Sequence, residues 1–163
     1  MNYGGLAMLR FVAVLTTGLV AGIFLGDRMG ASFARPALSP SSFVTFQQIQ
    51  HMHFAKMMPI LIGIAILSSA AWLVLIRSRI GSAEFVSLAL GTLAYISVIV
   101  LTRTVNVPIN DQLMTWIASS PPPDVMEIWA RWEQVHTVRT VLAVLGFALE
   151  LLAFGTSKNV PAA

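Results

Sequence analysis

One face of a predicted helix near the C-terminus carries two tryptophans, a histidine and an arginine. Trp129, Trp132, His136 and Arg139 follow one another at spacings of 3, 4 and 3 residues, which places them on one side of an α-helix. An imidazole exchanges protons near neutral pH, a guanidinium holds an oxyanion, and an indole stacks on an aromatic ring. The stripe fits two interpretations equally: a half-buried ligand site, or an interfacial aromatic belt with an arginine that reaches toward the headgroups.

A second polar group stands at the end of an apolar stretch. Arg103, Asn106 and Asn110 also follow helical spacing, and Pro108 lies between the two asparagines. Proline frees a carbonyl one turn earlier and disfavours helical geometry in the residue before it, so we expect a broken helix here. The two amides would either satisfy the freed backbone or donate to an oxygen of a ligand.

Histidines offer a metal or haem site as an alternative, because three imidazoles can bind zinc, copper or iron. His51 and His53 are two residues apart, however, and such residues point about 200° apart on a helix. His51 shares a helical face with Gln47 and Gln50. A haem or copper site would therefore depend on His51 and His136, and we expect His53 to be an interfacial histidine.

The chain that must position these residues has the composition of a membrane protein. Hydrophobic residues make up 56% of its 163 residues and charged residues only 10%, whereas a soluble domain carries about 25% charged residues. The net charge of +3 would suggest nucleic acid in a soluble protein. Here the basic residues lie near the ends of apolar stretches, where they signal topology, and we expect no nucleic-acid partner. The chain has no cysteine, which excludes disulfides and thiolate chemistry.

Four stretches are long and apolar enough to cross about 30 Å of hydrocarbon, which takes roughly 20 helical residues. They cover residues 3–25, 57–76, 85–102 and 140–157. The first stretch resembles a signal peptide, but no small-residue cleavage site follows it. Its Gly18, Gly22 and Gly26 instead have the spacing that lets membrane helices approach closely. We predict one all-α domain over residues 1–163, a membrane four-helix bundle whose first helix is retained.

An even number of spans places the two long connecting segments on the same side of the bilayer. Ser39 and Pro40 have the pattern of a helix start, and Pro121 to Pro123 form a stop after which Asp124 can cap a new helix. We therefore predict a helical cap outside the membrane that continues into the second and fourth spans.

Orientation follows from the density of basic residues near the helix ends. The side with the termini and the short turn carries Arg10, Arg77, Arg79 and Lys158, while the basic residues of the other side are dispersed among acidic ones. This distribution predicts an integral protein of the cell membrane with both termini in the cytoplasm.

Two ionisable residues fall inside predicted spans. Arg10 and Glu150 each lie seven residues from the end of a span, which is about 10 Å at 1.5 Å per residue. Both ends are on the same side of the membrane, and an ionisable group in a membrane helix is expected to have a partner. We predict that the first and fourth helices are neighbours and that Arg10 and Glu150 form an ion pair.

Three motifs follow one another in a characteristic order: FVTFQQIQ at residues 43–50, Asn106-Val-Pro-Ile-Asn110, and the Trp129 to Arg139 stripe. In order, spacing and topology, over residues 5–155, the chain resembles the anthrone oxygenase-like family of small membrane proteins. Gln50 departs from the asparagine usual in that family, and the His51-Met-His53 triplet is not a family feature. The resemblance implies that the following residues line the site: Gln47, Gln50, Asn106, Asn110, Trp132, His136 and Arg139.

The resemblance also implies an oxidoreductase of the monooxygenase type that acts on a hydrophobic aromatic small molecule without a conventional cofactor. Removing the proton of an anthrone gives an electron-rich enolate that reacts with O₂ directly, so the protein needs a base, oxyanion donors and a dry pocket. His136 would be the base, Arg139 and the two asparagines would hold the oxyanion, and Trp132 would stack on the ring.

Two other functions fit the same residues. The stripe would also suit a lipid headgroup or a quinone in a non-catalytic membrane protein, and His51 with His136 would suit haem or copper. A transporter is disfavoured, because four spans without an inverted repeat offer little machinery for alternating access.

Overall fold

The computed structural model describes residues 3–157, and in this range it consists of helices and their connections without any strand. The elements in chain order are α1 Tyr3–Met29, a short α2 Ala31–Ala34 followed by a 3₁₀ turn Arg35–Ala37, α3 Pro40–Leu75, a 3₁₀ turn Arg77–Arg79, α4 Ala83–Leu101, a π-helical turn Thr102–Asn106, α5 Val107–Leu113 and α6 Val125–Thr156. The predicted all-α fold is confirmed.

Four long helical segments have the length and apolarity needed to cross a membrane: Gly4–Ala37, Pro40–Leu75, Ala83–Leu113 and Val125–Thr156. Their number matches the prediction, and the chain is an integral membrane protein with a four-helix bundle. The helices extend beyond the predicted apolar stretches. The Ser39 hydroxyl accepts a hydrogen bond from the Ser42 N–H at 3.2 Å at the start of α3. Asp124 stands at the start of α6, but its side chain makes no capping hydrogen bond.

The two long connecting segments pack against each other at one end of the bundle and form the predicted helical cap. The Gln48 amide, on α3, donates to the carbonyls of Leu113 and Trp116 at 3.0 and 2.9 Å. Beneath these bonds lies a buried apolar cluster of Phe43, Val44, Ile109, Leu113, Val125 and Trp129. The cap therefore has its own small core, which joins α3, α5 and α6.

The helix does not break at Pro108, contrary to prediction. Val107 keeps helical torsion angles of −62° and −50°, and its N–H donates to the Thr102 carbonyl, five residues back. A π-helical turn accommodates the extra residue and shifts the hydrogen-bond register ahead of the proline, so the helix continues instead of ending.

α4 and α6 approach each other closely at two glycines, Gly91 and Gly146. A methyl group added at Gly91 would lie 2.9 Å from the Gly146 carbonyl oxygen and 2.9 Å from Cγ of Glu150. The glycines of α1 have a smaller part in packing than their spacing predicted: Gly18 faces the Phe147 ring, whereas Gly22 and Gly26 face open space.

We expect Gly91→Ala to lower the stability of the detergent-solubilised protein by about 1–3 kcal/mol, because its methyl group overpacks a backbone contact. The matched control is Gly22→Ala, which adds the same methyl where no atom lies within 4 Å. Thermal unfolding followed by circular dichroism compares the two. Equal unfolding midpoints would contradict the importance of the Gly91 contact.

The first and last long helices are neighbours, as predicted, but the predicted ion pair between Arg10 and Glu150 is wrong. α1 and α6 pack directly, and Ala13 and Ala153 share one buried cluster. Arg10 donates to Glu84 at 2.7 Å, and Glu84 also accepts from Arg79 at 2.9 Å. Glu150 instead accepts from two hydroxyl groups, that of Ser69 at 2.7 Å and that of Thr17 at 3.2 Å.

The pairing failed because the ends of α1 and α6 are not level. Glu150 lies opposite Thr17, which is seven residues beyond Arg10 and thus about 10 Å deeper along α1. Depths counted from the two helix ends therefore do not refer to the same plane. Arg10 lies level with the start of α4, where Glu84 stands in the first helical turn.

Candidate functional site

A cavity of about 450 Å³ lies where the bundle meets the cap, and residues of α1, α3, α4, α5, α6 and the π-helical turn line it. Its walls are largely apolar and include the aromatic rings of Phe24, Phe54, Trp129 and Trp132. Cavities of several hundred cubic ångströms with a few placed polar groups are typical binding sites for small hydrophobic ligands.

His136 stands in the wall of this cavity between an acidic and a basic side chain, and only 2% of its surface is exposed. Its Nδ1 atom lies 3.1 Å from a terminal nitrogen of Arg139. A guanidinium has donors only, so Nδ1 is the acceptor and the ring proton is assigned to Nε2. Nε2 lies 3.1 Å from Oδ2 of Asp27, but without the alignment of a good hydrogen bond.

Arg139 is held over the cavity by contacts on several sides. One terminal nitrogen donates to the hydroxyl of Thr102 at 2.9 Å, and the guanidinium lies over the rings of Phe24 and Trp132 at 5.1 and 5.4 Å. Thr102 is the first residue of the π-helical turn. The irregularity in the third long helix therefore supplies the group that positions the arginine.

Arg35 forms a buried hub beside the cavity that the sequence did not reveal. Its side chain binds Asp27 through two bonds of 2.6 and 3.1 Å and Glu133 at 2.7 Å. It also donates to Ser32, Gln47 and Gln50, and its guanidinium lies over the rings of Trp129 and Trp132. The cluster joins α1, α2, α3 and α6, and it fixes the Asp27 carboxylate that faces His136.

Most of the predicted site residues meet in the cavity. Its lining includes Gln47, Gln50, His51, Asn110, Trp132, His136 and Arg139. The two glutamines, Gln47 and Gln50, form hydrogen bonds with the Arg35 cluster. Both of their amide oxygens accept from Arg35, and the Gln50 amide nitrogen donates to Asp27 at 2.9 Å.

Asn106 does not belong to the lining, contrary to what the resemblance implied. Its side chain is fully buried, and its amide donates to the main-chain carbonyl of Trp132 at 3.2 Å. The residue thus satisfies a carbonyl of α6 and braces that helix against the π-helical turn, behind the cavity wall.

The histidines divide as their spacing predicts. His51 lines the cavity, whereas His53 is exposed and lies outside the lining. Within residues 3–157 no three His, Asp or Glu side chains are grouped for a metal ion. Both ring nitrogens of His136 already have protein neighbours, so haem or copper at His136 would have to displace Asp27 or Arg139.

Asp27 and Thr102 line the cavity, and Arg35 and Glu133 are paired beside it, but the sequence analysis singled out none of the four as a site residue. The one signal available was that an aspartate and an arginine stand close together just after an apolar stretch of a chain with few charges. No periodic pattern links Asp27 or Arg35 to α6, because Arg35 and Glu133 are 98 residues apart in the chain.

No curated protein and no solved structure matches the chain. The model of one family, described as anthrone oxygenase, matches residues 46–149, which include every predicted lining residue, while Asp27 and Arg35 precede the match. Because the match covers more than half of the chain, the protein belongs to the anthrone oxygenase family.

Proposed function

We propose that the protein is a membrane-bound oxygenase that oxidises a hydrophobic aromatic ketone of the anthrone class with O₂. The observation that carries this proposal is the polar end of the aromatic-walled cavity, where Asp27, His136 and Arg139 lie in contact. Family membership supports the same class of reaction.

In this mechanism, Nδ1 of His136 takes the proton from the ring carbon opposite the ketone carbonyl. Asp27 lies against Nε2 and stabilises the imidazolium that forms, as a carboxylate does in hydrolase triads. In the resting site a guanidinium N–H of Arg139 donates to Nδ1. As negative charge develops on the enolate oxygen, this N–H leaves Nδ1 and donates to that oxygen instead. Trp132 and its aromatic neighbours provide a flat apolar surface for the rings.

The reaction balances without an external reductant. The enolate carbon forms a bond to O₂ and gives a peroxide, which takes up the proton held by His136. Loss of the remaining hydrogen from that carbon, with cleavage of the O–O bond, releases water and leaves a second carbonyl. One anthrone and one O₂ thus yield one anthraquinone and one water, so the protein's tasks are proton transfer, oxyanion stabilisation and exclusion of bulk water.

We infer that the protein lies in the cell membrane and that both of its termini are in the cytoplasm. The inference rests on Arg10, Arg77 and Arg79, which lie near the bundle end opposite the cap; Lys158 lies outside the described residues. The chain is free of cysteine, so an impermeant thiol reagent applied to cells with Ser78→Cys protein tests the inference. If the reagent labels Ser78→Cys protein in intact cells, the short turn faces the outside of the cell and the inferred orientation is wrong.

The test of the function is oxidation of an anthrone by the detergent-purified protein at neutral pH. We expect anthraquinone absorbance to rise and O₂ to be consumed in equal amounts, faster than in detergent buffer, since anthrones also oxidise spontaneously. Tight binding of anthraquinone with no acceleration of O₂ uptake would overturn the enzyme and favour the quinone-binding alternative. A Soret band or stoichiometric copper in the purified protein would favour the metal-dependent one.

A further inference from the structure

The exposed residues of the cavity lining are confined to two facing helical segments. Ala55 and Pro59 are on α3, Arg103 is in the π-helical turn, and Asp111 is on α5. Every other lining residue is buried or half-buried. The cavity therefore opens in the gap between α3 and the third long helix.

The remaining sides are closed by packed structure. Toward the cap, Leu113 and Trp129 belong both to the lining and to the buried core of the cap. Toward the middle of the bundle, Phe24 and Ile62 belong to the main apolar core. Between α1 and α6 the ion cluster of Arg35 fills the space. Among the residues that the structure describes, the lining has no exposed residue on these sides of the cavity.

Both helices that frame the gap are irregular at this level. Pro59 lies inside α3 and lacks the N–H that would bind the Ala55 carbonyl one turn earlier. Opposite it, the π-helical turn interrupts the regular hydrogen-bond register at Arg103. Interruptions of this kind bend helices and are tolerated in membranes where they line a cavity.

The limits of the apolar stretches place the gap near the boundary between hydrocarbon and headgroups. The apolar stretch of α3 begins at residue 57 and that of the third long helix ends at residue 102, so Ala55, Pro59 and Arg103 stand near these limits. Asp111 lies nine residues beyond residue 102, which is about 13 Å further toward the cap. The rim is apolar on α3, at Ala55 and Pro59, and charged on the facing side, at Arg103 and Asp111. Such a rim fits a flat apolar ring system with a polar edge.

We infer that this gap, which we name the lateral portal (Ala55, Pro59, Arg103 and Asp111), admits a planar aromatic ketone or quinone sideways from the bilayer. The ligand class rests on the proposed function, whereas the route rests on the exposure pattern of the lining. A ligand that is dissolved in lipid would thus reach His136 without crossing the aqueous phase.

The experiment uses the cysteine-free chain to place one bulky group on the rim. Ala55→Cys protein is reconstituted in liposomes and measured before and after reaction with a bulky maleimide, so that each protein is its own reference for folding. Ala148→Cys is the matched control, because Ala148 is also an exposed alanine of a long helix and is not in the lining. Anthraquinone is the probe, and quenching of the fluorescence of Trp129 and Trp132, which line the cavity, reports its binding.

We expect the label on Ala55→Cys to slow anthraquinone association by about tenfold or more, since the route is blocked, and the label on Ala148→Cys to leave it nearly unchanged. Bound anthraquinone should also protect Ala55→Cys from the maleimide. Equal association rates with and without the label, or no binding of anthraquinone by the wild-type protein, would overturn the portal. Blocked binding in a protein that never oxidises anthrones would uphold the portal and reject the proposed function.

Discussion

His136→Ala is expected to reduce anthrone oxidation to the spontaneous rate, a loss of about 10²- to 10⁴-fold for removal of a general base. The change deletes the only imidazole that contacts both Asp27 and Arg139 in the described residues. The protein should still fold, because the charge of Asp27 remains paired with Arg35 through two hydrogen bonds. Initial rates of O₂ uptake, with circular dichroism as the folding check, measure the effect.

His53→Ala is the control for this change, since it removes an exposed imidazole outside the cavity. We expect it to retain nearly full activity. Unchanged turnover in His136→Ala would eliminate the proposed base. Equal losses in both variants would point back to a site that uses several histidines.

Arg35→Met should have the largest effect on stability. The arginine is 1% exposed and neutralises two carboxylates, Asp27 and Glu133, whose side chains are 10% and 23% exposed. Removing one partner of a buried ionic cluster strands the opposite charges and costs about 3–5 kcal/mol. The midpoint of thermal unfolding in detergent should fall accordingly, and Asp27 should lose the bonds that hold it against His136.

Arg131→Met provides the comparison, because it removes an exposed arginine from the same end of the bundle and should leave the unfolding midpoint nearly unchanged.

A combined variant tests whether the stranded charges cause the loss of stability in Arg35→Met. Arg35→Met combined with Asp27→Asn and Glu133→Gln should recover part of the lost stability, since neutral amides need no counter-charge. An Arg35→Met protein as stable as the wild type would show that the cluster is not needed for folding.

The sequence by itself determined the features that depend on local spacing and on composition. Low charge and four long apolar stretches predicted the membrane bundle, because each backbone segment in lipid must satisfy its own hydrogen bonds as a helix. The helical spacing of Trp132, His136 and Arg139 predicted that these side chains share one environment, and they do line the same cavity.

Only the tertiary structure decided which groups meet across different helices. Arg10 binds Glu84 rather than Glu150 because the packing of α1 against α6 places Glu150 opposite Thr17, about 10 Å further along α1 than Arg10. Asn106 was predicted to line the ligand site, but its amide binds the Trp132 carbonyl, because the helix continues through a π-helical turn where a break was predicted. Asp27 and Arg35 reach His136 and Glu133 through contacts between residues about 100 positions apart, and no periodicity along the chain encodes such contacts.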